Sequence, residues 1–297
     1  MIHHLTKILY IQFVSFGDVI VSSAMIKALK EKHPNSQIDY LTTEKSSELL
    51  RGNPLINKIY TGNPYPKMED YDIILRPYYC LQRSGGWHLS GKHFMDLYAE
   101  ICGVDLKGDY SCYFYNIADS TEEFRQLKYV TIQCKTNDPA KDWDRFPELV
   151  EMINNKLKIS VLQLAGSNDP EIPGVRNINR NLPWCQVATI IKHAMVNICL
   201  DSAIQHLAGA LEAPYIALYG AKDSRLVTSG KHQVLTHIGK LNGWNVRKQI
   251  ALNPIERNGC EKACMLAVCN NPKGKCINNT TPQEVFNYVE KVVGVNV

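Results

Sequence analysis

Asp18, Asp201, Ser202 and His206 are the residues whose types and settings suit them to chemistry. Asp18 closes the run Ser15-Phe16-Gly17-Asp18, directly after the apolar stretch Lys7 to Val14. A carboxylate there can take a proton from an attacking hydroxyl, and Gly17 permits a tight turn and the close approach of a ligand. Asp201-Ser202-Ala203-Ile204-Gln205-His206 follows the apolar run Val196 to Leu200 and precedes another, Ala213 to Tyr219. That order describes a strand, a corner, a helix of small residues and a second strand. The helix start offers unpaired N–H groups and a positive dipole end, which suit a phosphate. Ser202 adds a hydroxyl, Asp201 can hold the turn or a ribose, and His206 sits about one turn inside. A plainer reading stands beside each of these. Asp18 and Ser202 are good helix caps, and His206 can be a satisfied core histidine.

Elements must bring these residues together, and their pattern is legible. Strand-like Lys7–Val14, Gln37–Leu41, Asn57–Tyr60 and Tyr71–Leu75 alternate with helical Val19–Lys32 and Glu44–Leu50. A Gly- and aromatic-rich loop is expected over Tyr78–Gly91, and a helix over Lys92–Cys102. After the polar stretch Ala118–Glu123 the alternation restarts. Strands are expected at Tyr129–Gln133 and Ile159–Leu164, and helices at Phe146–Lys156 and Pro183–Ala194. Thr281-Pro282-Gln283-Glu284 opens a last helix with a capping box and proline at the first helical position. Two successive β/α alternations predict an α/β chain of two facing Rossmann-like domains with parallel sheets, residues 1–125 and 126–297. The first strand is not followed by G-x-G-x-x-G, so a nicotinamide cofactor is not indicated.

Composition narrows the function classes. The 297 residues are 45% hydrophobic and 21% charged, with 33 basic against 29 acidic side chains. A net charge of +4 is too small to suggest nucleic acid, and suits an anionic substrate or light contact with an anionic membrane face. No apolar run approaches the ~20 residues of a membrane span. The opening Met1-Ile2-His3-His4 lacks a signal-peptide pattern. The expectation is a cytoplasmic protein, with peripheral contact at the inner membrane face open to it.

The corners together resemble glycosyltransferase family 9, the ADP-heptose:lipopolysaccharide heptosyltransferases. The resemblance runs through Ser15-Phe16-Gly17-Asp18 and Lys30-Glu31-Lys32-His33-Pro34. It continues through Lys141-Asp142-Trp143-Asp144-Arg145-Phe146 and Asp201 to Leu211, in order from about residue 7 to residue 290. It implies a GT-B fold and an inverting, metal-independent transfer that requires no cofactor for its chemistry. Asp18 takes the place of the catalytic base and Lys141 that of a lysine on the donor phosphates. Asp201, Ser202, Ala203 and His206 match the nucleotide-diphosphate loop, with Ser15 and Gly17 grouped among the donor-binding residues. The implied partners are an ADP-sugar and a glycolipid or saccharide acceptor. Ser202-Ala203 stands where the family usually has Thr-Gly, and Gly220-Ala221-Lys222-Asp223 replaces Gly-x-Thr, adding a cation. The other readings are a GT-B transferase for another nucleotide sugar, and a silent nucleotide-sugar- or metal-binding scaffold.

Of ten cysteines, four cluster as Cys260-x3-Cys264-x4-Cys269-x6-Cys276. Four thiolates fit a closed, structural tetrahedral site, though without paired C-x2-C spacing. Zinc suits the ligand type; iron enters through the resemblance, since some relatives hold iron in this region. The alternative is four reduced thiols in a loop.

Overall fold

Short buried strands joined by helices can pair in parallel only through crossovers, and this chain makes two such sheets. The computed structural model describes residues 5–13, 15–85, 90–118, 124, 126–220, 222–230, 235–237, 249–254, 256, 258–260 and 268–294. The first sheet holds β1 (Lys7–Ile11), β2 (Gln37–Leu41), β3 (Lys58–Tyr60) and β4 (Ile73–Leu75), in the order β3-β2-β1-β4. The second holds β5 (Tyr129–Ile132), β6 (Ser160–Ala165), β7 (Asn177–Arg180), β8 (Asn197–Leu200), β9 (Tyr215–Leu218), β10 (Leu235–His237) and β11 (Gln249–Leu252). Its order is β10-β11-β9-β8-β5-β6-β7. Every pairing is parallel, with Ile8 opposite both Ile38 and Ile73, and Leu200 opposite Leu218.

The helices are α1 (Phe16–Lys32), α2 (Glu44–Ser47), α3 (Pro77–Ser84), α4 (Phe94–Cys102), α5 (Phe146–Met152), α6 (Trp184–His193), α7 (Ala203–Ala210), α8 (Ser224–Val227) and α9 (Pro282–Val293). In each sheet the chain runs outward on one flank of its first strand and then crosses to the other flank. The crossings make two switch points, between β1 and β4 and between β5 and β8. Open parallel sheets bind ligands beyond the carboxyl ends of the strands at such points. Asp18 follows β1, the Lys141 loop follows β5, and Asp201 follows β8.

Helix α1 joins the two halves. Residues 19–26 are all buried, so α1 has no polar face, as a helix enclosed on all sides requires. One side lies on the first sheet and another packs on α7. Its two buried serines are satisfied: Ser22 Oγ donates to the Val19 carbonyl at 2.7 Å and Ser23 Oγ to that of Ile20 at 2.6 Å. A continuous apolar cluster includes Ile20, Met25 and Tyr40 from one half and Ile204, Leu207 and Tyr215 from the other. Fully burying such side chains contributes about 1.5–3 kcal/mol each.

The α/β class with two parallel sheets agrees with the sequence reading, and several elements differ. Tyr78–Gly91 was expected to be a loop, but α3 occupies Pro77–Ser84. Proline at its first position pre-sets the helical φ, and Leu81 buries an anchor one turn later. The helix expected over Phe146–Lys156 stops at Met152 and widens to a π turn, Ile153–Leu157. Strands β7, β10 and β11 carry only three or four residues each, too few for their period to stand out.

Candidate active site

The base candidate is built at a strained corner. Ser15, at the N-cap of α1, has φ 63° and ψ 106°, a region unusual for a residue with a side chain. The strain sits at Ser15, whereas Gly17 has an ordinary φ. The turn sends α1 off so that Asp18 lines the cleft. Tyr98 of α4 donates its hydroxyl to Asp18 Oδ1 at 2.5 Å, and Ser15 also hydrogen-bonds the carboxylate. Burial is the largest influence and pushes the Asp18 carboxyl above its ordinary value. The two hydroxyls, and the charges of Lys222 and Lys141, pull it down. Tyr98, itself 3% exposed, stays protonated because burial and the neighbouring Asp18 raise its phenol well above the usual value.

Across the cleft stands a charge cluster. Asp201 Oδ2 lies 3.1 Å from Lys141 Nζ and 3.1 Å from Lys222 Nζ, and Lys141 is also 3.1 Å from Asp138. Burial acts to raise the Asp201 carboxyl, but the two ammonium groups outweigh it and hold the group far below its usual range. Burial likewise acts to lower Lys141, and Asp201 with Asp138 keep it above the ordinary lysine value. Both groups are therefore ionised at neutral pH. Lys141 ends a single 3₁₀ turn, Pro139–Lys141. Asp142, 2% exposed, fixes that loop by accepting from Thr136 N at 2.9 Å and from Lys135 Nζ at 3.0 Å. Trp143 is buried and donates Nε1 to the Thr280 carbonyl at 3.0 Å. Of the motif Lys141 to Phe146, Lys141 alone lines the cleft; Asp142, Trp143 and Phe146 fix it in place.

Ser202 and His206 combine the two readings the sequence left open. Ser202 caps α7, accepting from Ile204 N at 3.2 Å, and donates to Gln133 Oε1 at 2.9 Å. His206 is 8% exposed and its Nδ1 meets Ser229 Oγ at 2.7 Å. Burial above all pushes its pKa down to about 4, with Lys141 and Lys222 adding to this against Asp201, so the ring is neutral. It is a satisfied histidine that also lines the cleft. On one side the space at Gly17 is taken up by this ring. A Cβ on Gly17 would stand 3.0 Å from His206 Cδ2 and 3.7 Å from Ala203 Cα.

Ser15, Gly17, Asp18, Lys141, Asp201, Ser202, Ala203 and His206 all line one cleft of about 1160 Å³. That exceeds the ~300–1,000 Å³ of common small-molecule sites. One wall is apolar, with Leu164, Leu182, Pro183, Trp184 and Val187. Beside it Asp169 accepts from Gly166 N at 2.8 Å, and Arg180 Nη1 donates to the carbonyls of Gly166 and Asp169 at 2.9 and 2.8 Å. Two contacts bridge the cleft: Glu48 Oε2 accepts from Trp184 N at 3.0 Å, and the Phe16 and Trp184 rings meet edge to face at 5.0 Å. Tyr98, Gln133, Glu48 and Ser229 are site residues that sequence reasoning missed. Each is distant in sequence from its partner, and none belongs to a motif.

The cysteines fare differently. Cys260 Sγ accepts from Asn271 Nδ2 at 3.1 Å, and Cys269 Sγ lies 3.8 Å from the Gly274 carbonyl. Cys276 is buried beneath Gly220. Among the described residues no three Cys, His, Asp or Glu side chains stand together as a metal ion would need. Cys264 lies outside the described residues. A resident zinc or iron ion thus finds no assembled donor set among the described residues.

Two parallel sheets whose switch points face a shared cleft define a GT-B-type fold. Residues 92–257 match the model of glycosyltransferase family 9 (heptosyltransferase), and the chain belongs to that family of glycosyltransferases. It is 22% identical to lipopolysaccharide heptosyltransferase 3 of Escherichia coli over 276 residues, covering 70% of this chain and 81% of that protein. Among solved structures it is similar to the family 9 glycosyl transferase of Veillonella parvula, with TM-score 0.72 at 16% identity and 97% of both chains covered. The iron-containing dodecameric glycosyltransferase TibC of enterotoxigenic E. coli gives TM-score 0.72 at 14% identity, covering 97% of this chain and 76% of that one. E. coli ADP-heptose LPS heptosyltransferase II gives 0.68 at 15%, covering 97% and 98%.

Proposed function

We propose that this glycosyltransferase moves a heptose from ADP-heptose, with inversion at the anomeric carbon, to a hydroxyl of a lipopolysaccharide core or related saccharide. The observation that carries this reading is the opposition of one carboxylate, Asp18, to the cationic cluster around Asp201 across a single cleft. The base accepts the acceptor's proton as its oxygen bonds the anomeric carbon. The bond from that carbon to the donor phosphate breaks, its electron pair stays on the phosphate oxygen, and the diphosphate leaves beside Lys141. A lysine ammonium meets the developing charge directly, consistent with a transfer that requires no metal. The apolar wall at Leu164, Leu182 and Trp184 suits the flat faces of a base, and the backbone at the start of α7, by Ser202 and Ala203, suits a phosphate. TibC has been crystallised with ADP-D-beta-D-heptose, and E. coli WaaC with ADP, which supports the choice of donor. The cleft-facing residues fall into an acceptor half, 1–125, and a donor half, 126–297. No helix among the described residues is long and apolar enough to cross a membrane; a glycolipid acceptor would bring a cytoplasmic enzyme to the inner membrane face.

The test is release of nucleoside diphosphate from a panel of ADP-heptose, ADP-glucose, UDP-glucose and GDP-mannose with a truncated core saccharide. Turnover restricted to ADP-heptose, with product of inverted anomeric configuration by NMR, is expected. Turnover only with a UDP or GDP donor would replace the donor assignment, and retention of configuration would overturn the single-displacement chemistry.

Tyr98 gives the mechanism a pH signature. Its hydroxyl favours the ionised form of Asp18, so Tyr98→Phe removes a downward pull and the Asp18 pKa rises further. The base is active when ionised, so the acid limb of the kcat/KM profile is expected to move to higher pH, with donor KM little changed. An unmoved acid limb would reduce Tyr98 to packing against Phe94.

A further inference from the structure

Lys222 stands in the segment that replaces Gly-x-Thr, and it shares the Asp201 carboxylate with Lys141. Strands β8 and β9 pair in register, with Leu200 opposite Leu218, so the segments leaving them emerge side by side and Lys222 meets Asp201. Asn253, at the end of the adjoining strand β11 and 2% exposed, clamps the loop. Its Nδ2 donates to the carbonyls of Gly220 and Lys222 at 3.1 and 2.6 Å, and its Oδ1 accepts from Ser224 N at 3.1 Å. The backbone at Gly220, Lys222 and Ser224 is thereby tied to one side chain, and the side chain of Lys222, 19% exposed, lines the cleft.

The charges around it do not cancel. Lys141, Lys222 and Asp201 form a sheltered group with two positive charges on one carboxylate oxygen. Asp138, the further partner of Lys141, is 42% exposed and correspondingly screened. Asp18 is a further carboxylate on which both ammonium groups act. Among the described residues it forms no contact-distance ion pair with either, so an anion bound between them would complete the pairing. The hydroxyl of Ser202, which would otherwise greet an anion at the start of α7, is already engaged by Gln133 and Ile204.

We propose that Lys222 is a second leaving-group residue, whose ammonium binds the distal, sugar-bearing phosphate of a nucleoside diphosphate while Lys141 holds the diphosphate from the other side of Asp201. This rests on the glycosyl-transfer reading and deepens it. As the bond from the anomeric carbon to the distal phosphate oxygen breaks, the electron pair remains on that oxygen, and Lys222 meets the new negative charge. The acceptor proton goes to Asp18, so the step needs no other proton donor. Asp201 acts as a positioning residue: it presets both cations, and little reorganisation is left for the moment of reaction.

The experiment compares ADP, AMP and adenosine binding by titration calorimetry for wild type, Lys222→Met and Lys222→Arg, with turnover measured alongside. Lys222→Met is expected to weaken ADP by about tenfold or more, the scale of one charge-assisted contact, with AMP and adenosine nearly unchanged. Turnover should fall at saturating donor, and Lys222→Arg should restore most of the ADP affinity. Wild-type affinity for ADP in Lys222→Met overturns the proposal and leaves the glycosyl-transfer reading standing. Equal losses for ADP and adenosine also overturn it, as a role in folding. Wild-type protein that binds no ADP, UDP or GDP would instead bring down the glycosyl-transfer reading, and this proposal with it.

Discussion

Asp18→Asn is expected to lower turnover by about 10²–10⁴-fold while ADP binds almost as in wild type. Asparagine keeps the shape and still accepts the Tyr98 hydroxyl through its carbonyl, but it cannot accept a proton. The loss should therefore fall on kcat and not on donor KM. The acid limb set by Asp18 should also vanish from the pH profile. Wild-type turnover in the variant would leave Asp18 as no more than a first-turn acid on α1, favourable to the helix dipole and nothing else. The same assay run without acceptor should show donor hydrolysis falling in parallel, because water attacking the donor also needs a proton acceptor.

Lys141→Ala should carry the second-largest effect, a loss of about 1.5–3 kcal/mol in ADP binding, with adenosine affinity close to wild type. The substitution also withdraws one of the two charges that keep Asp201 ionised. The carboxylate then repels an incoming diphosphate more strongly, which adds to the loss. Thermal unfolding should change little, because the loop around residue 141 is fixed by Asp142 and Trp143. Calorimetry that finds equal losses for ADP and adenosine would remove Lys141 from the phosphate site.

How much of this was legible follows from the distances over which each signal acts. The corners after β1 and β8 were readable because a strand, a small polar turn and a helix lie within a dozen residues of one another. The parallel class was readable because both flanks repeat that unit. Lys222 was visible only as an added cation: its meeting with Asp201 depends on β8 lying beside β9, a fact of sheet order. Tyr98 gave no signal, since a tyrosine in an apolar helix reads as core, and only the packing of α4 against α1 turns its hydroxyl to Asp18. Gly17 was read as a site of close approach, and the fold does bring a group against it. The approaching group is the ring of His206, nearly two hundred residues further along the chain. The loop expected at Tyr78–Gly91 hid a helix because the helix is short and buries only Pro77 and Leu81.

The contact of Gly17 with His206 has a mechanical consequence. The helix carrying the base and the helix carrying the donor loop touch near their first turns, with less than a methyl group of slack. A steric contact resists closer approach, and the shared apolar core at Ile20, Ile204 and Leu207 resists separation. The spacing of the two first turns is therefore a property of helix packing, set before any ligand enters. Phe16, beside Gly17, extends the same contact to Trp184, and Glu48 ties Trp184 from the other half.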